Sequence, residues 1–269
     1  MRCPELGCEV ELLCVGNELL LGKTVDTNAT WLAGRITSLG GTVNRVTTVR
    51  DDVREIQAAT REILGRRPDF LITSGGLGPT FDDVTIQGVA LATRLPLRVN
   101  KEALSQIKTR YREIFSSHRF TLTRFRLKMA TFPLSARPIS NAVGTAPGMM
   151  VRFQKTTTIC LPGVPKELRA IFSQHIAPMI TAKSGKSGHI SRTIEVSRIF
   201  ESELAPLINR VMRQEREIYI KSHPQGGEGR DSSRIRLDFS YTGRNFEEGR
   251  EAITRAISSM RRLVAKRLK

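Results

Sequence analysis

Three consecutive strand–helix units in the first hundred residues constrain the fold more than any other feature of the sequence. Each begins with a short apolar or β-branched run, at residues 10–15, 42–49 and 70–73, and each run precedes a segment with helical periodicity. Repeated units of this length form a mainly parallel sheet with right-handed crossovers and helices on both faces. The sequence therefore predicts a three-layer α/β/α domain whose ligands bind beyond the carboxyl ends of the strands.

The helices that alternate with these strands have recognisable ends. Residues 28–39 carry apolar side chains at helical spacing, with Thr27 as the expected N-cap and two glycines as the stop. A second helix is predicted from a capping-box-like start at Asp52 to about residue 65, and a third over residues 82–94. Strand and helix signals therefore alternate regularly as far as residue 94.

The next segment of the chain is predicted to complete the first domain. Two helices rich in Arg and Lys are expected over residues 101–116 and 122–129, as an insertion over one edge of the sheet. A hairpin over residues 149–161 and a helix that begins at Pro165 follow them. These elements predict that the first domain occupies residues 1–182.

A small, polar, glycine-rich stretch over residues 182–188 predicts a domain boundary, with a second domain over residues 190–269. The elements expected after it are a strand, a helix, two strands and a final helix, the first four over residues 193–196, 203–212, 218–222 and 235–241. This order predicts a smaller α+β module. Its loop at residues 224–231 contains three glycines and is predicted to be mobile.

The positive charge of the chain is concentrated in its second part. Residues 1–100 hold 11 Lys and Arg against 12 Asp and Glu, whereas residues 101–269 hold 32 against 14. Such an excess favours an anionic partner, whether a nucleotide, a nucleic acid or an acidic surface. A well-solvated basic surface without a partner explains the same composition equally well.

Membrane and zinc-dependent classes are disfavoured by the sequence. No apolar run approaches the roughly 20 residues that span a bilayer, and the first residues lack the pattern of a leader peptide, which predicts a soluble cytoplasmic protein. Cys14 and Cys160 lie inside apolar runs, so we expect buried, reduced thiols. The histidines are scattered and do not have the spacing of zinc ligands.

The strongest functional signal is the glycine-rich turn of residues 74–83, between the third strand and its helix. Gly75, Gly76 and Gly78 allow backbone N–H groups to approach an anion closely, and the following helix start favours phosphate. A structural explanation is equally good, because Thr80 and Asp83 have the spacing of a capping box. Asp83 would then only cap its helix.

A second strand-to-helix loop, at residues 161–167, contains a Pro–Gly pair and a lysine. Pro162 and Gly163 precede Pro165, which suits the first turn of a helix. Two such loops can hold one ligand between them, with Lys166 paired to a phosphate. A solvated lysine in a first helical turn is the commoner situation.

Carboxylates follow each of the first three strands. Glu18 follows the first, Asp51 and Asp52 the second, and Asp82 and Asp83 the third. Strands that lie side by side would bring these groups around one cleft, where a divalent cation could lie between them and a pyrophosphate. Each of these acids, taken alone, is more often a helix cap.

At these residues the chain resembles the N-terminal part of the CinA family, which belongs to the superfamily of molybdopterin-binding domains that includes MoaB and MogA. The motifs that carry the resemblance form an ordered set over residues 10–170, at residues 16–22, 26–29, 75–83, 144–148 and 161–167. The resemblance implies the three-layer fold predicted above. It also implies a nucleotide-type ligand.

The resemblance further implies an activity and a set of site residues. Relatives are associated with metal-dependent hydrolysis of ADP-ribose or FAD, and by motif match Asp83 and Asp51 take the places of the two acids that MogA-like enzymes use. The leading hypothesis is a pyrophosphatase in which Asp83 and Asp82 hold Mg²⁺, with Asp51 as a further catalytic acid. The expected substrate-binding residues are Glu18, Asn28, Ser74, Gly75, Gly76, Gly78, Thr80, Gly144, Thr145, Pro162, Gly163 and Lys166.

The last module is similar to the KH-like domain of CinA proteins, over a segment that includes residues 200–204. No G-x-x-G loop lies between its helices, which disfavours nucleic acid as a partner. No part of the sequence resembles the amidase domain of CinA proteins, so amide removal from nicotinamide mononucleotide is not expected. Similar proteins associate with themselves, which predicts a homodimer.

Two rival functions remain open at this point. MogA-type relatives transfer an adenylyl group to molybdopterin, and that reaction would use the same pocket with ATP and a pterin. A non-enzymatic nucleic-acid-binding protein would instead use the basic second part of the chain, including Arg261, Arg262 and Lys266.

Overall fold

The structure is a computed structural model that describes residues 7–114, 121–185, 188–225, 233–243 and 245–268. The chain divides into two compact units. The first extends to Lys183, and the second begins at Ser184, with the three residues Ser38–Gly40 grouped with the second. The predicted mobile loop at residues 224–231 lies mostly outside the described residues.

A six-stranded, mainly parallel sheet forms the centre of the first unit. The strands of this unit are β1 (Glu9–Val15), β2 (Thr42–Val49), β3 (Phe70–Ser74), β4 (Leu97–Val99), β5 (Thr131–Pro133), β6 (Arg137–Ile139), β7 (Gly148–Phe153) and β8 (Thr156–Leu161). The order in the main sheet is β2-β1-β3-β8-β7-β6, and β4 and β5 form a separate pair. Neighbours from β2 to β8 are parallel, whereas β7 is antiparallel to both β8 and β6. The predicted α/β fold is confirmed.

Helices connect these strands in the expected alternation. They are α1 (Asn17–Leu20), α2 (Thr27–Ser38), α3 (Val53–Arg66), α4 (Thr85–Thr93), α5 (Lys101–Ile114), α6 (Arg124–Met129), α7 (Pro165–Ile171) and α8 (Ala177–Ser184), with a π-helical turn over Phe172–Ile176. No helix in the described part of the chain is long and apolar enough to cross a membrane.

The predicted N-cap of α2 is wrong by one residue. Thr27 is the first residue of the helix, and the backbone N–H of Ala29 donates to Oδ1 of Asp26 at 2.8 Å. The carboxylate of Asp26 therefore satisfies the N–H group that the prediction assigned to the Thr27 hydroxyl. The cap of α3 is at the expected position, since Oδ1 of Asp52 accepts from the N–H groups of Arg54 and Glu55.

The glycine-rich turn is longer than the sequence predicted, and α4 begins at Thr85 rather than at residue 82. The N–H of Thr85 donates to the carbonyl of Gly76 at 3.2 Å, and its hydroxyl donates to the carbonyl of Gly75 at 2.8 Å. These bonds fold the chain back before the first helical turn. Residues up to Val84 therefore belong to the loop.

Burial in the central strands is almost complete. β1 is buried from Val10 to Val15, and all five residues of β3 are buried. Cys14 in β1 and Cys160 in β8 are buried, and burial raises the pKa of each thiol to about 12. Both thiols are therefore neutral at physiological pH, as expected for structural cysteines.

One carboxylate interrupts the apolar character of β1. Glu11 is only 2% exposed, and the guanidinium of Arg66 at the end of α3 donates to both of its carboxylate oxygens at 2.7 to 3.1 Å. The guanidinium fork matches the carboxylate geometry. The fold thus neutralises this buried charge internally.

The second unit is a small α+β module with its own core. Its elements are β9 (Gly188–Ser197), α9 (Glu201–Gln214), β10 (Ile218–Pro224), β11 (Arg234–Gly243) and α10 (Phe246–Leu268). β11 is the central strand and pairs antiparallel with β10 and β9. β9 is longer than predicted because β11 pairs with all ten of its residues. The core includes Leu204 and Val211 from α9, Phe239 from β11 and Met260 from α10.

Candidate functional site

A cleft of about 440 Å³ lies in the first unit, beyond the carboxyl ends of its parallel strands. Glu18 enters it from the segment after β1, Asp51 from the segment after β2, and the glycine-rich turn from the end of β3. Pro162 and Gly163 follow β8 and form another wall. The neighbouring order of β2, β1, β3 and β8 is what brings these four segments together.

The glycine-rich turn forms the floor of the cleft, and two of its glycines have conformations that other residues rarely adopt. The φ angles are 101° at Gly75 and 67° at Gly76, and a Cβ at Gly75 would clash with the carbonyl oxygen of Val15. The N–H of Gly75 donates to the carbonyl of Leu161 at 3.0 Å. The N–H groups of Gly76, Leu77 and Gly78 donate to no acceptor within the described residues. These three donors are available to an anion.

Asp83 closes the turn and does not cap the helix. Its Oδ2 accepts from the backbone N–H of Thr80 at 2.8 Å and lies 2.5 Å from the Thr80 hydroxyl. The N-cap of α4 is Val84, and no side chain bonds to its helix start. The contact between Thr80 and Asp83 that the capping-box spacing predicted is therefore present, but it closes the turn ahead of α4, and the Asp83 carboxylate also lies on the wall of the cleft.

Asp82 and Asp83 converge on the same hydroxyl group. The Thr80 hydroxyl contacts a carboxylate oxygen of each residue, and its hydrogen bond lowers the pKa of Asp82. A hydroxyl has one proton to donate, so it satisfies only one of the two carboxylates at a time. Two carboxylate oxygens thus meet at one point without a full set of donors.

Asp51 lies where burial and neighbouring negative charge act together. Burial raises the pKa of its carboxyl group, and a hydrogen bond from the Asn17 N–H at 2.7 Å lowers it. The negative charges of Glu18, Asp82 and Asp83 raise the pKa further. All four acids line the same cleft, so their negative charges act on one another.

The second loop is held by the Asn28 side chain and lies close to the glycine-rich turn. The Asn28 amide donates to the carbonyl of Gly163 at 2.7 Å, and a Cβ at Gly163 would lie 3.4 Å from Cα of Gly75. Asn28 therefore supports the loop and does not line the cleft. Lys166 is exposed and is not among the lining residues, and Ser74 is buried at the end of β3.

Glu167 is a cleft residue that the sequence did not single out. It lies in the first turn of α7, and its Oε2 accepts from the Asn141 amide at 2.7 Å. Oδ1 of the Asn141 side chain accepts from the N–H of Gly144, and a Cβ at Gly144 would clash with the Glu167 carboxylate. Gly144 therefore leaves room for this acid, and Thr145 lines the cleft beside it. The only sequence signal for Glu167 is its place as the last residue of the second loop, residues 161–167.

Lys128 was also missed, because it lies in α6 and outside every motif. Its ammonium group donates to the carbonyl of Thr80, and it is close enough to Asp82 and Asp83 for their charges to favour its protonated form. Burial acts in the opposite direction and lowers the pKa of Lys128 overall. This lysine supplies part of the countercharge for the acids.

The acids offer few ligands for a metal ion held by protein alone. Across residues 7–114 and the other described ranges, no three His, Cys, Asp or Glu side chains are close enough to hold an ion together. Mg²⁺ is usually held by one or two carboxylates, with phosphate oxygens and water completing its shell. Asp82 and Asp83 fit that pattern, and they do not fit a preformed structural metal site.

The structure brings most of the predicted site residues into one cleft. Those on its wall are Glu18, Asp51, Gly75, Gly76, Gly78, Thr80, Asp82, Asp83, Thr145, Pro162 and Gly163. Asn28, Ser74, Gly144 and Lys166 are not on the wall. The roles of all these residues stay predictions.

The fold and the cleft define a mainly parallel α/β protein with a candidate ligand site at the carboxyl edge of its sheet. Residues 11–182 match the family model described as a probable molybdopterin binding domain. The chain belongs to this family of molybdopterin-binding domains.

Similar proteins occur in several organisms. One from Metallosphaera sedula is 36% identical over 258 residues, which are 96% of this chain and 94% of that protein. Another, from Aeropyrum pernix, is 40% identical over 252 residues, which are 93% of this chain and 91% of that protein. A crystal structure of the protein CinA from Thermoplasma acidophilum, described as having unknown function, is 42% identical with a TM-score of 0.58. The match covers 64% of this chain and 98% of the CinA chain. The predicted resemblance to CinA is confirmed at the level of the molybdopterin-binding-like domain.

Proposed function

We propose that the first unit hydrolyses the pyrophosphate bond of a nucleotide, with ADP-ribose or FAD as the substrate class, and that it requires a divalent metal ion. One observation carries this proposal. The carboxylates of Glu18, Asp51, Asp82 and Asp83 surround a turn that offers three unpaired backbone N–H groups. A pyrophosphate needs hydrogen-bond donors, and a group of acids beside it needs a cation.

The glycine-rich turn would bind the phosphate oxygens. The N–H groups of Gly76, Leu77 and Gly78 would donate to them, and the hydrogen bond from Gly75 to Leu161 keeps the turn fixed to the sheet. Donors that are already positioned lose no free energy to reorientation when charge develops on the reacting phosphate.

The acids would divide the remaining work. Asp82 and Asp83 would hold Mg²⁺, which when bound supplies charge neutralisation for the pyrophosphate oxygens. Asp51 would accept a proton from the attacking water. Its raised pKa makes it a stronger base than an ordinary carboxylate.

The simplest test is to incubate the pure protein with ADP-ribose and with FAD, each with Mg²⁺, with Mn²⁺ and with EDTA. We expect AMP with ribose 5-phosphate from ADP-ribose, and AMP with FMN from FAD, with either metal ion, and no products with EDTA. Absence of turnover of both substrates with both metal ions would refute the hydrolase proposal.

A second candidate is adenylyl transfer to a molybdopterin-type acceptor, which the family membership favours as strongly as hydrolysis. The same glycine turn and acids would then hold the phosphates of ATP. Pterin fluorescence retained by the purified protein, and release of pyrophosphate from ATP only when a pterin acceptor is present, would support this candidate over the first.

We also propose that the second unit is of the KH type and contributes to a homodimer rather than to nucleic-acid binding. Its three-stranded sheet with two helices is compatible with that type. Sedimentation of the protein at two concentrations would test for the dimer. RNA binding that weakens steeply as salt rises would instead favour a nucleic-acid partner.

A further inference from the structure

Two helices carry a glutamate as their third residue, and the fold uses the two side chains differently. In α9, Glu203 reaches back and accepts from the backbone N–H of Phe200, the N-cap residue, at 3.2 Å. This is the usual bond of an acid at that position. In α7, Glu167 makes no such bond to its N-cap Val164 within the described residues. Its carboxylate lies on the wall of the cleft instead.

The side chain of Asn141 holds Glu167 in this orientation. Asn141 is only 7% exposed, and its Nδ2 donates to Oε2 of Glu167 at 2.7 Å and to the carbonyl of Ala146 at 2.8 Å. Its Oδ1 accepts from the N–H groups of Val143 and Gly144. These four bonds use both donors and both acceptor lone pairs of the amide. One oxygen of the Glu167 carboxylate is therefore fixed from behind, and the other is left for a ligand.

The remaining oxygen of Glu167 has no cationic partner and lies apart from the other acids. No Lys, Arg or His side chain pairs with Glu167 in the part of the chain that the structure describes. The three acids whose charges raise the pKa of Asp51 do not include Glu167. An ionised carboxylate can only accept hydrogen bonds. This wall of the cleft therefore suits a ligand group that donates hydrogen bonds and carries no negative charge.

The ribose is the part of a nucleotide that has this character and lies next to its phosphate. Gly163, four residues before Glu167, lies close to Gly75, since a Cβ at Gly163 would be 3.4 Å from Cα of Gly75. The wall that carries Glu167 therefore adjoins the turn that would bind phosphate. A carboxylate is also the usual partner of ribose hydroxyls in dinucleotide sites.

We propose that Glu167 accepts hydrogen bonds from the ribose hydroxyls of the nucleotide and makes the cleft selective for ribonucleotides over 2′-deoxyribonucleotides. The inference rests on the proposed function and deepens it, because it names the part of the substrate that this wall recognises. Adenosine 5′-monophosphate and its 2′-deoxy counterpart provide a matched test. They differ by one hydroxyl, and neither contains a pyrophosphate bond, so their binding is measured without turnover.

Calorimetry of the full chain with Mg²⁺ should give about tenfold tighter binding of the ribonucleotide, the effect expected of one hydrogen bond to a charged acceptor. Glu167→Gln should bring the two affinities close together, mainly by weakening the ribonucleotide. Glu62→Gln is the same substitution at an exposed position on α3 and should keep the preference. Equal weakening of both nucleotides by Glu167→Gln would mean that this acid only supports the loop, and would overturn the proposal.

Gly144→Ala provides a second, steric test that keeps the charge of Glu167. The added Cβ would collide with the Glu167 carboxylate, which is the movable end of a flexible side chain. Gly144 is not among the glycines with positive φ, so alanine fits its backbone. The variant should lose the preference and melt close to the wild type. Gly34→Ala on α2, where a Cβ meets nothing within 4 Å, is the control and should keep the preference.

The remaining outcomes separate this proposal from the hydrolase. Equal affinities of the wild type for the two nucleotides, binding of neither, or an unchanged preference in either cleft variant would overturn the ribose contact. A ribonucleotide preference without hydrolysis of ADP-ribose or FAD refutes only the hydrolase. Hydrolysis without the preference refutes only the ribose contact.

Discussion

Two regions of the first unit contain buried or partly buried carboxylates, and they differ in whether each carboxylate has a positively charged partner. Glu11 lies within β1, where Arg66 donates to both of its oxygens. At the carboxyl edge of the same sheet, Asp51, Asp82 and Asp83 lie near one another, and the pKa of Asp51 is raised by its neighbours as well as by burial. The first charge is neutralised by the fold, and the others lack an equivalent partner.

Under the proposed function, the difference separates structural acids from acids that serve a ligand. A buried charge that lacks its partner costs several kcal/mol, so a fold that contains one supplies the partner itself. The cleft acids are tolerated because solvent reaches them and because a backbone N–H, a hydroxyl and Lys128 give them partial compensation. Changes at Glu11 should therefore alter stability, and changes in the cleft should alter activity.

The largest expected effect is the loss of turnover in Asp83→Asn. Removing this charge should lower pyrophosphate hydrolysis by about 100-fold or more, comparable to the loss of one group that stabilises developing charge. The free energy of unfolding should change little, because an amide oxygen can still accept from Thr80. Glu62→Gln, at an exposed position on α3, is the control and should retain full activity. Undiminished turnover by Asp83→Asn would remove the basis of the proposed mechanism.

Arg66→Met should produce the largest loss of stability. It leaves Glu11 buried without its partner, so urea denaturation should give a free energy of unfolding lower by about 3 kcal/mol. Turnover measured below the melting temperature should remain normal. The double variant Glu11→Leu/Arg66→Met removes both charges and should recover most of the loss. A loss below about 1 kcal/mol in the single variant would mean that solvent relieves the Glu11 charge.

Asp52→Ala should have an intermediate effect on stability and none on activity. Asp52 caps α3, and removal of such a cap costs about 1 kcal/mol. Asp52→Asn retains an acceptor oxygen and should stay close to the wild type in the same thermal melts. A clear fall in turnover with Asp52→Ala would place this residue with the cleft acids instead.

The smallest expected effect is a pH-dependent gain of stability in Asp51→Asn. Because the pKa of Asp51 is raised in the native state, its protonated form is favoured by folding. The resulting stability is present below the unfolded-state pKa and is lost as the pH rises through the native-state pKa. At neutral pH the variant should therefore be more stable by less than about 1 kcal/mol, since solvent screens part of the charge. Denaturation at pH 7 and in acid should show this gain shrinking as the pH falls, and an equal gain at both values would contradict it.

The sequence predicted the sheet better than it predicted the site. Short apolar runs identified β1 and β3 because both are fully or almost fully buried, which leaves few alternatives to a central parallel strand. The three-residue strand β4 was missed, since so short a segment has no detectable periodicity. The sequence did not predict the pairing of Glu11 with Arg66, because the two residues are 55 positions apart in the chain.

Within the site, the motifs identified the turn but not the individual roles of its acids. Asp51 and Asp52 are adjacent in sequence, and only the structure separates the cleft residue from the helix cap. Glu167 and Lys128 reach the cleft through tertiary packing from α7 and α6, and a local pattern does not record such contacts. Local chemistry therefore predicts where a ligand binds more readily than which side chains surround it.

The hydrogen bond between Gly75 and Leu161 and the close approach of Gly163 to Gly75 join the glycine-rich turn and the second loop into one platform. A binding site of this kind is pre-organised, so little conformational entropy is lost when a ligand arrives. Substrate preference can then change through substitutions in the surrounding walls while the platform stays the same. That separation allows one scaffold to acquire different chemistries.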